Sequence, residues 1–371
     1  MDYLPTRQFF LLKRVFLIWL YIFLCFGYTV GTDWRNYENL YNDSFDQELL
    51  DRNFEQASYY LIYIARKIIP DFWLYLGLVK CIYLYSILKF IKRFTVNQFL
   101  SIAVLLNYNL LFMLVDNPLR FMQGSIILVW CTGYLLDKKY TKFLLFSLLS
   151  LLFHISLVVP VLLSLLVLFK DKIIHKSNVT LSFWYLIAFV FSFFPNILNE
   201  FSVFFANQFP ALAYKLLNAY AVESNEGAFT IGSFVMIILF FVLLYHRKTI
   251  LANKNGDILF FYSLFYLYLS RVLLIFPTGF RLSLYFGLFF AICLVVIITS
   301  GSLKVKYALF ILIGLTISKT LWSSFQYLPY TNSIYYILTS EHLPRSYRDN
   351  LNKEEYYRRT GEQVKSRAGI D

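Results

Sequence analysis

Residues 116–160 read DNPLRFMQGSIILVWCTGYLLDKKYTKFLLFSLLSLLFHISLVVP, and the pattern of this stretch indicates the class of fold. Two long apolar runs lie in it, separated by a group of lysines. Runs of this length predict helices that cross a bilayer. Arg120 opens the first run, and His154 is the only titratable side chain inside the second. Because polar groups near lipid are costly, we interpret these two residues as members of a candidate site.

The same pattern extends along the whole chain. Its 371 residues are 59% hydrophobic and only 15% charged, and apolar runs of about 17 to 20 residues recur from end to end. The sequence therefore predicts an all-α, polytopic integral membrane protein with about 10–11 transmembrane helices. We expect a single transmembrane domain over residues 1–322, followed by a C-terminal tail over 323–371.

Charge and motif content exclude several classes of function. The net charge of +12 arises from short basic loops between apolar runs. Such loops orient a membrane protein, so we expect no nucleic-acid partner. The four cysteines lie inside apolar runs without metal-ligand spacing, and we predict no metal site. No phosphate-binding glycine loop occurs, which argues against a nucleotide-driven pump or a transferase that uses nucleotide sugars.

The N-terminal region predicts the orientation of the chain. Three basic residues precede an apolar run that ends at Val30 without a cleavage site, so we expect a retained span with a cytoplasmic N-terminus. The acidic segment that follows predicts an external loop at about 31–71, within which residues 57–69 form an amphipathic interfacial helix. A second external loop is expected at about 195–228. The three basic residues that precede the first apolar run are Arg7, Lys13 and Arg14.

The run at 143–169 is too long for one ordinary span. As a single helix it would extend about 40 Å, more than the roughly 30 Å of a hydrocarbon core. One crossing would also move the later basic loops to the outside. We therefore predict a hairpin of two short helices, with His154 near its buried tip.

Three arginines fall at the predicted outer edge of the membrane: Arg120, Arg271 and Arg281. A guanidinium stays charged and offers forked donors to phosphate oxygens, so the cluster suits a pyrophosphate head group. Gln123 shares a helix face with Arg120, and Tyr285 shares one with Arg281, which makes both secondary substrate-binding candidates. Interfacial arginines also anchor helix ends, and that alternative stays open for each of them.

Three further side chains could take part in chemistry. Asp33, just after the first span, and His154 are candidate catalytic groups that could accept a proton or bind a sugar hydroxyl. Their alternatives are a solvated loop acid and a structural core histidine. Lys80, in mid-span, is a weaker substrate-binding candidate, and an ammonium paired with a neighbouring helix explains it equally well.

With these residues in view, the chain resembles the EpsG family of polysaccharide polymerases, relatives of the Wzy polymerases. The likeness covers about residues 15–331, and the order of its short motifs carries it. Phe121 follows Arg120 where many members have glutamine. The matching features are Gly31-x-Asp33-x-x-x-Tyr37, Arg120 after an external turn, Phe153-His154-x-Ser156 in a hairpin, Arg281, and Pro329-Tyr330.

The resemblance implies a glycosyltransferase of the bacterial inner (plasma) membrane that needs no metal, nucleotide or other cofactor. It would join repeat-unit oligosaccharides carried on undecaprenyl pyrophosphate, at the outer face of the membrane. Arg120 and Arg281 would hold pyrophosphate, while Asp33 or His154 would activate the acceptor hydroxyl. The product would be an O-antigen, a capsule or an exopolysaccharide. Expected partners are the lipid-linked oligosaccharides, membrane lipids, a flippase and a chain-length regulator.

Two other functions compete with this interpretation. A flippase of lipid-linked oligosaccharide would also need intramembrane cations, and Lys80 favours it. The chain has no evident inverted repeat, which disfavours it. A membrane O-acyltransferase could use His154, but it would require a more buried histidine with access to a cytosolic acyl donor.

Overall fold

The chain folds as a bundle of helices. The computed structural model describes residues 6–31, 33–42, 55–94, 97–192, 231–273, 280–323, 330–344, 346–348 and 350. Within these ranges the regular secondary structure is helical, apart from two strands of two residues each. This confirms the prediction of an all-α membrane protein.

The helices are α1 (Thr6–Cys25), α2 (Trp34–Asn42), α3 (Gln56–Ile68), α4 (Phe72–Ile91), α5 (Gln98–Leu105), α6 (Leu119–Leu136), α7 (Tyr140–Leu151), α8 (Val158–Ser164), α9 (Lys170–Ile174), α10 (Asn178–Phe191), α11 (Ile231–Tyr245), α12 (Arg247–Leu251), α13 (Gly256–Val272), α14 (Phe280–Ser300), α15 (Leu303–Ser323) and α16 (Ile334–Thr339). In the described ranges, three helices are long and apolar enough to cross a membrane by length and composition: α4, α6 and α14. Four shorter apolar helices lie at 98–110, 140–151, 178–191 and 232–245. The total of 10–11 spans stays a prediction.

Helix α14 forms the centre of the bundle. It is the most deeply buried of the three long apolar helices, and it packs along α13. A π-helical segment, Leu106–Leu110, continues α5 beside it, and a second π-helical segment covers Phe112–Asp116. Asn109 in the first segment donates to the carbonyl of Leu284 at 3.4 Å, so the widened turns also contact α14. π-Helical turns often occur near functional sites.

The hairpin predicted at 143–169 is present. Helix α7 ends at Leu151, and the chain turns through His154, whose backbone is extended, before a short 3-10 turn leads into α8. On α6, a Cβ at Gly124 would lie 2.4 Å from the Leu157 side chain and 2.8 Å from the Ser150 carbonyl. Only a glycine lets the hairpin approach so closely, and this approach brings His154 to the start of α6.

The predicted loop at 31–71 contains two helices. Helix α3 corresponds to the amphipathic helix expected at 57–69, with Arg66 and Lys67 in its last turn. Its position relative to a membrane stays a prediction. The second predicted loop, 195–228, lies outside the described residues.

The chain beyond α15 returns to the N-terminal part of the domain. Strand β1 (Gly27–Tyr28) pairs antiparallel with β2 (Thr331–Asn332), and the Ser333 amide donates to the Phe26 carbonyl at 2.7 Å. The domain boundary predicted at residue 322 stays a prediction. Strand β2 and Ser333 belong to the predicted C-terminal tail, and their contacts with residues 26–28 show that part of this tail packs on the transmembrane domain.

Candidate functional site

Two tight turns come together at one end of the bundle, and we call this end the site end. Gly31 has a φ of +83°, and a Cβ there would lie 2.4 Å from the Val115 carbonyl oxygen. Asn117, also left-handed at φ 65°, donates through its side chain to the Val30 carbonyl at 2.6 Å. The turn before α2 is therefore joined to the turn before α6, and this places Asp33 near Arg120.

Arg120 lies in the first turn of α6, and every recorded polar partner of its side chain comes from the segment between α1 and α4. Its Nη1 pairs closely with the Glu55 carboxylate and donates to the Tyr59 hydroxyl at 3.2 Å. Its Nε donates to the Tyr37 hydroxyl at 3.3 Å. The side chain keeps 30% of its surface exposed, so a ligand can reach a cation that is already oriented.

Glu55 joins the arginine to the hairpin. One carboxylate oxygen pairs with Arg120, and the other lies 2.6 Å from His154 Nδ1 and accepts from the Ile155 amide at 3.4 Å. Burial alone would raise the pKa of Glu55. The hydrogen bond from His154 and the positive charge of Arg120 oppose burial and outweigh it, so the pKa of Glu55 is lowered from the ordinary value. Glu55 is therefore an anion shared by two site residues.

His154 is held by its Glu55 contact and by the edge-to-face packing of its ring on Phe121, with ring centroids 5.6 Å apart. Among the described residues, no hydrogen bond reaches the other ring nitrogen, Nε2. A carboxylate that accepts from Nδ1–H fixes the tautomer in which Nε2 can accept a proton.

Asp33 and Arg281 form the second part of the site. Arg281 Nη2 lies 4.0 Å from an Asp33 carboxylate oxygen, and its guanidinium packs over the Phe112 ring at 5.3 Å. Asp33 lies one helical turn before Tyr37, which contacts Arg120. The start of α2 and the residue before it thus contact two of the three predicted pyrophosphate-binding arginines, Arg120 and Arg281. Burial raises the pKa of the Tyr37 hydroxyl, which stays neutral and able to donate.

Gln123 lies one turn along α6 and ties the helices together. It is buried, accepts a short hydrogen bond from Ser58, and donates to the Tyr75 hydroxyl at 2.6 Å. Both ends of its amide are occupied by protein, so its contacts are those of a support for α3 and α6 rather than of a free substrate donor.

The three remaining predicted residues lie in other environments. Arg271 is buried, donates to the Tyr185 hydroxyl at 3.2 Å and the Ser233 carbonyl, and packs over Phe189 at 5.3 Å. Tyr285 is buried, with its hydroxyl 2.9 Å from Thr132. Lys80 is fully buried, and its Nζ has no hydrogen-bond partner among the described residues. Within the described ranges, no recorded contact joins any of these three to Arg120, Glu55 or His154.

Glu55 is the site residue that the sequence did not single out. It was one of seven acids in the segment 31–56, and its position directly before the amphipathic helix was its only distinguishing feature. The described residues hold no group of three or more histidine, cysteine or acidic side chains that could bind a metal ion. The predicted absence of metals and cofactors is not tested by this.

The fold and the site together define a polytopic membrane protein with a cationic, carboxylate-supported site at one end of its helices. The model of the EpsG family matches residues 10–332, and the chain belongs to this family of Wzy-like polysaccharide polymerases. Searches of curated proteins and of solved structures gave no match. Family membership supports a general role in polysaccharide polymerisation.

Proposed function

We propose that this protein is a glycosyltransferase that polymerises oligosaccharide repeat units carried on undecaprenyl pyrophosphate. The family supports the polymerase role. The observation that carries the finer proposal is the Arg120–Glu55–His154 group, in which a partly exposed cation lies beside a carboxylate–imidazole pair. These are the parts that a transfer from a pyrophosphate leaving group to a hydroxyl requires.

The arginines hold the pyrophosphate. A phosphate oxygen can replace Glu55 as the acceptor of the hydrogen bond from Arg120 Nη1. The Arg120 side chain is 30% exposed, which leaves room for this exchange. Arg281, held near Asp33, supplies a second cation on the same side of α2 as Arg120. Two oriented guanidinium groups stabilise the charge that develops on the leaving group.

His154 accepts the proton. The acceptor hydroxyl oxygen attacks the anomeric carbon of the donor sugar, and the bond from that carbon to the pyrophosphate oxygen breaks with its electron pair on the leaving group. The hydroxyl proton passes to His154 Nε2, while Glu55 accepts a hydrogen bond from Nδ1–H. Asp33 orients Arg281 in this scheme. The donor is already activated as a pyrophosphate ester, so the step needs no nucleotide.

The predicted topology agrees with this chemistry. In the proposed arrangement the transmembrane domain covers residues 1–322, the N-terminus is cytoplasmic, and the site end faces outward from the bacterial inner membrane. The loops at about 31–71 and 195–228 are then external. The lipid tails of both substrates stay in the bilayer while their sugars meet at the site. A flippase that supplies the units and a chain-length regulator are the proposed protein partners.

The test replaces Arg120 in cells that depend on this protein for their surface polysaccharide. Arg120→Ala removes the cation, and we expect long chains to disappear while single repeat units still reach the surface. Lys142→Ala is the matched control, since it removes an exposed cation from the far end of α7. Protein level in the membrane is measured beside polymer length. Unchanged chain length in Arg120→Ala at normal protein level would refute the proposed site.

A flippase is the second candidate, and the burial of Lys80 without a hydrogen-bond partner in the described part of the chain favours it. A translocation path needs polar groups at depth, whereas a site at the helix ends does not. The two functions separate in a deletion strain. Units trapped inside the cell would indicate a flippase, and exposed single units would indicate a polymerase.

A further inference from the structure

Residues 331–344 and 346–348 pack at the site end and contact helices α2 and α4. We call this segment the clasp. It begins with the β1–β2 pairing and ends at Arg348, whose side chain is buried. The family match ends at residue 332, so His342 and Arg348, which attach the clasp to α4 and α2, lie beyond the matched residues.

Arg348 forms the tightest attachment of the clasp. Its Nη1 lies 2.6 Å from one Glu38 carboxylate oxygen and 2.8 Å from the other, and its Nε donates to the Leu343 carbonyl at 2.9 Å. Trp73 also donates to Glu38, at 3.0 Å. The guanidinium lies 5.3 Å from the Trp34 ring centroid, which adds a cation–π contact.

His342 forms a second attachment, to the start of α4. Its Nε2 lies 2.6 Å from an Asp71 carboxylate oxygen. The other carboxylate oxygen of Asp71 caps α4 by accepting from the Leu74 amide at 2.8 Å. The Tyr28 hydroxyl, 3.4 Å from His342 Nδ1, accepts from the Leu343 amide at 3.2 Å. The clasp is thereby fixed to α4 independently of Arg348.

Helix α2 lies between the clasp and the site. Trp34 and Glu38, four residues apart, are buried against the clasp and α4. Asp33 and Tyr37, also four residues apart and shifted by one position, contact Arg281 and Arg120. Residues four apart share one face of a helix, and a shift of one position turns that face by about 100°. One face of α2 therefore contacts the clasp, and the neighbouring face contacts the two arginines.

Because α2 is short, its position depends on contacts such as those with the clasp. A helix of nine residues is marginal by itself and depends on its tertiary contacts. Removing Arg348 would leave the Glu38 carboxylate buried without its charged partner, and this strongly favours movement of the helix. Any such movement would shift Asp33 and Tyr37 relative to the arginines.

We propose that the clasp sets the position of α2, and that Arg348 is a positioning residue for transfer at the Arg120–Arg281 site. This inference rests on the proposed function. The clasp touches neither substrate nor reacting atoms and acts through Glu38 and α2. The C-terminal segment is therefore a working part of the enzyme in this chain.

The first test measures repeat-unit transfer by membranes that contain full-length variants. For Arg348→Met we expect a fall on the order of tenfold to a hundredfold, the scale of a misplacement of about 1 Å. Arg348→Lys keeps the charge and should recover part of the rate. A chain that ends at residue 350 keeps the clasp and should match wild type, whereas one that ends at 340 should behave like Arg348→Met.

A double-substitution test separates positioning from general stability. If the clasp acts through α2, Tyr37→Phe should cost less in the Arg348→Met background than in wild type, because the Tyr37 contact is already misplaced. The proposal would be overturned if the transfer losses of Tyr37→Phe and Arg348→Met were additive in the double variant. It would also be overturned if the loss of transfer in Arg348→Met were explained by a lower protein level in the membrane. Wild-type transfer by Arg348→Met would also overturn it. If Arg120→Ala abolishes long chains while Arg348→Met does not, the clasp proposal fails and the proposed function stands.

Discussion

Two arginine–glutamate pairs hold the site end together, and they differ in exposure. In the pair Arg120–Glu55 the arginine side chain is 30% exposed, whereas in Arg348–Glu38 it is 8% exposed. Glu38 offers both carboxylate oxygens to one arginine, while Glu55 divides its oxygens between Arg120 and His154. A pair whose arginine is partly exposed and whose carboxylate has two partners can exchange partners with a ligand. A buried and undivided pair holds structure.

The largest expected effect comes from Glu55→Gln, which breaks the divided pair. The amide cannot balance Arg120 or hold His154 as a carboxylate does. We expect repeat-unit transfer by isolated membranes to fall on the order of a hundredfold, within the range of general acid–base catalysis. Glu341→Gln changes an exposed acid and serves as the control. Equal transfer rates for the two variants would remove Glu55 from the site.

Gly31→Ala should have the next largest effect, because it acts on the turn that both arginines depend on. The residue would keep a positive φ and place a Cβ 2.4 Å from the Val115 carbonyl. We expect a destabilisation of about 1–3 kcal/mol, seen as a lower Tm in detergent, together with reduced transfer. Gly314→Ala is the control: the new Cβ would meet open space, so the Tm and the transfer rate should stay unchanged. Normal activity of Gly31→Ala would show that the turn tolerates movement.

Acid should weaken the Arg120–Glu55 pair by protonating Glu55. The pKa of Glu55 is lowered from its ordinary value in the folded protein. The stabilisation is therefore fully present above that ordinary pKa and is lost as the pH falls through the lower folded value. The difference in Tm between wild type and Glu55→Gln should shrink as the pH is lowered from about 6 to about 3. A constant difference would mean that Glu55 carries no charge in this network.

The smallest effect on activity is expected at Gln123, which supports the site without facing its ligand. Gln123→Leu leaves Ser58 and Tyr75 without their amide partner and should lower the free energy of unfolding by about 1–3 kcal/mol. Transfer, corrected for protein level, should stay within a few-fold of wild type. A large loss of transfer at normal stability would instead make Gln123 a substrate-binding residue.

Much of the fold was predictable because it follows from local pattern. The length of the run at 143–169 predicted the hairpin, and the structure confirms it with His154 at its turn. Asp33, Arg120, His154 and Arg281 were all predicted as site residues, and the structure brings them to one end of the bundle. Their roles stay predictions. Arg271 resembled Arg120 in sequence, but its recorded contacts belong to α10 and α11.

The helices, the apolar character of the chain and the polar residues that are costly to bury could all be predicted from the sequence, because each follows from composition over a few helical turns. Tertiary structure decided which acid joins the site and what holds α2. Glu55 is separated in sequence by 65 residues from Arg120 and by 99 from His154, and Glu38 is separated by 310 residues from Arg348. Such pairs depend on how turns and helices pack, and no local pattern marks one loop carboxylate among seven as the partner.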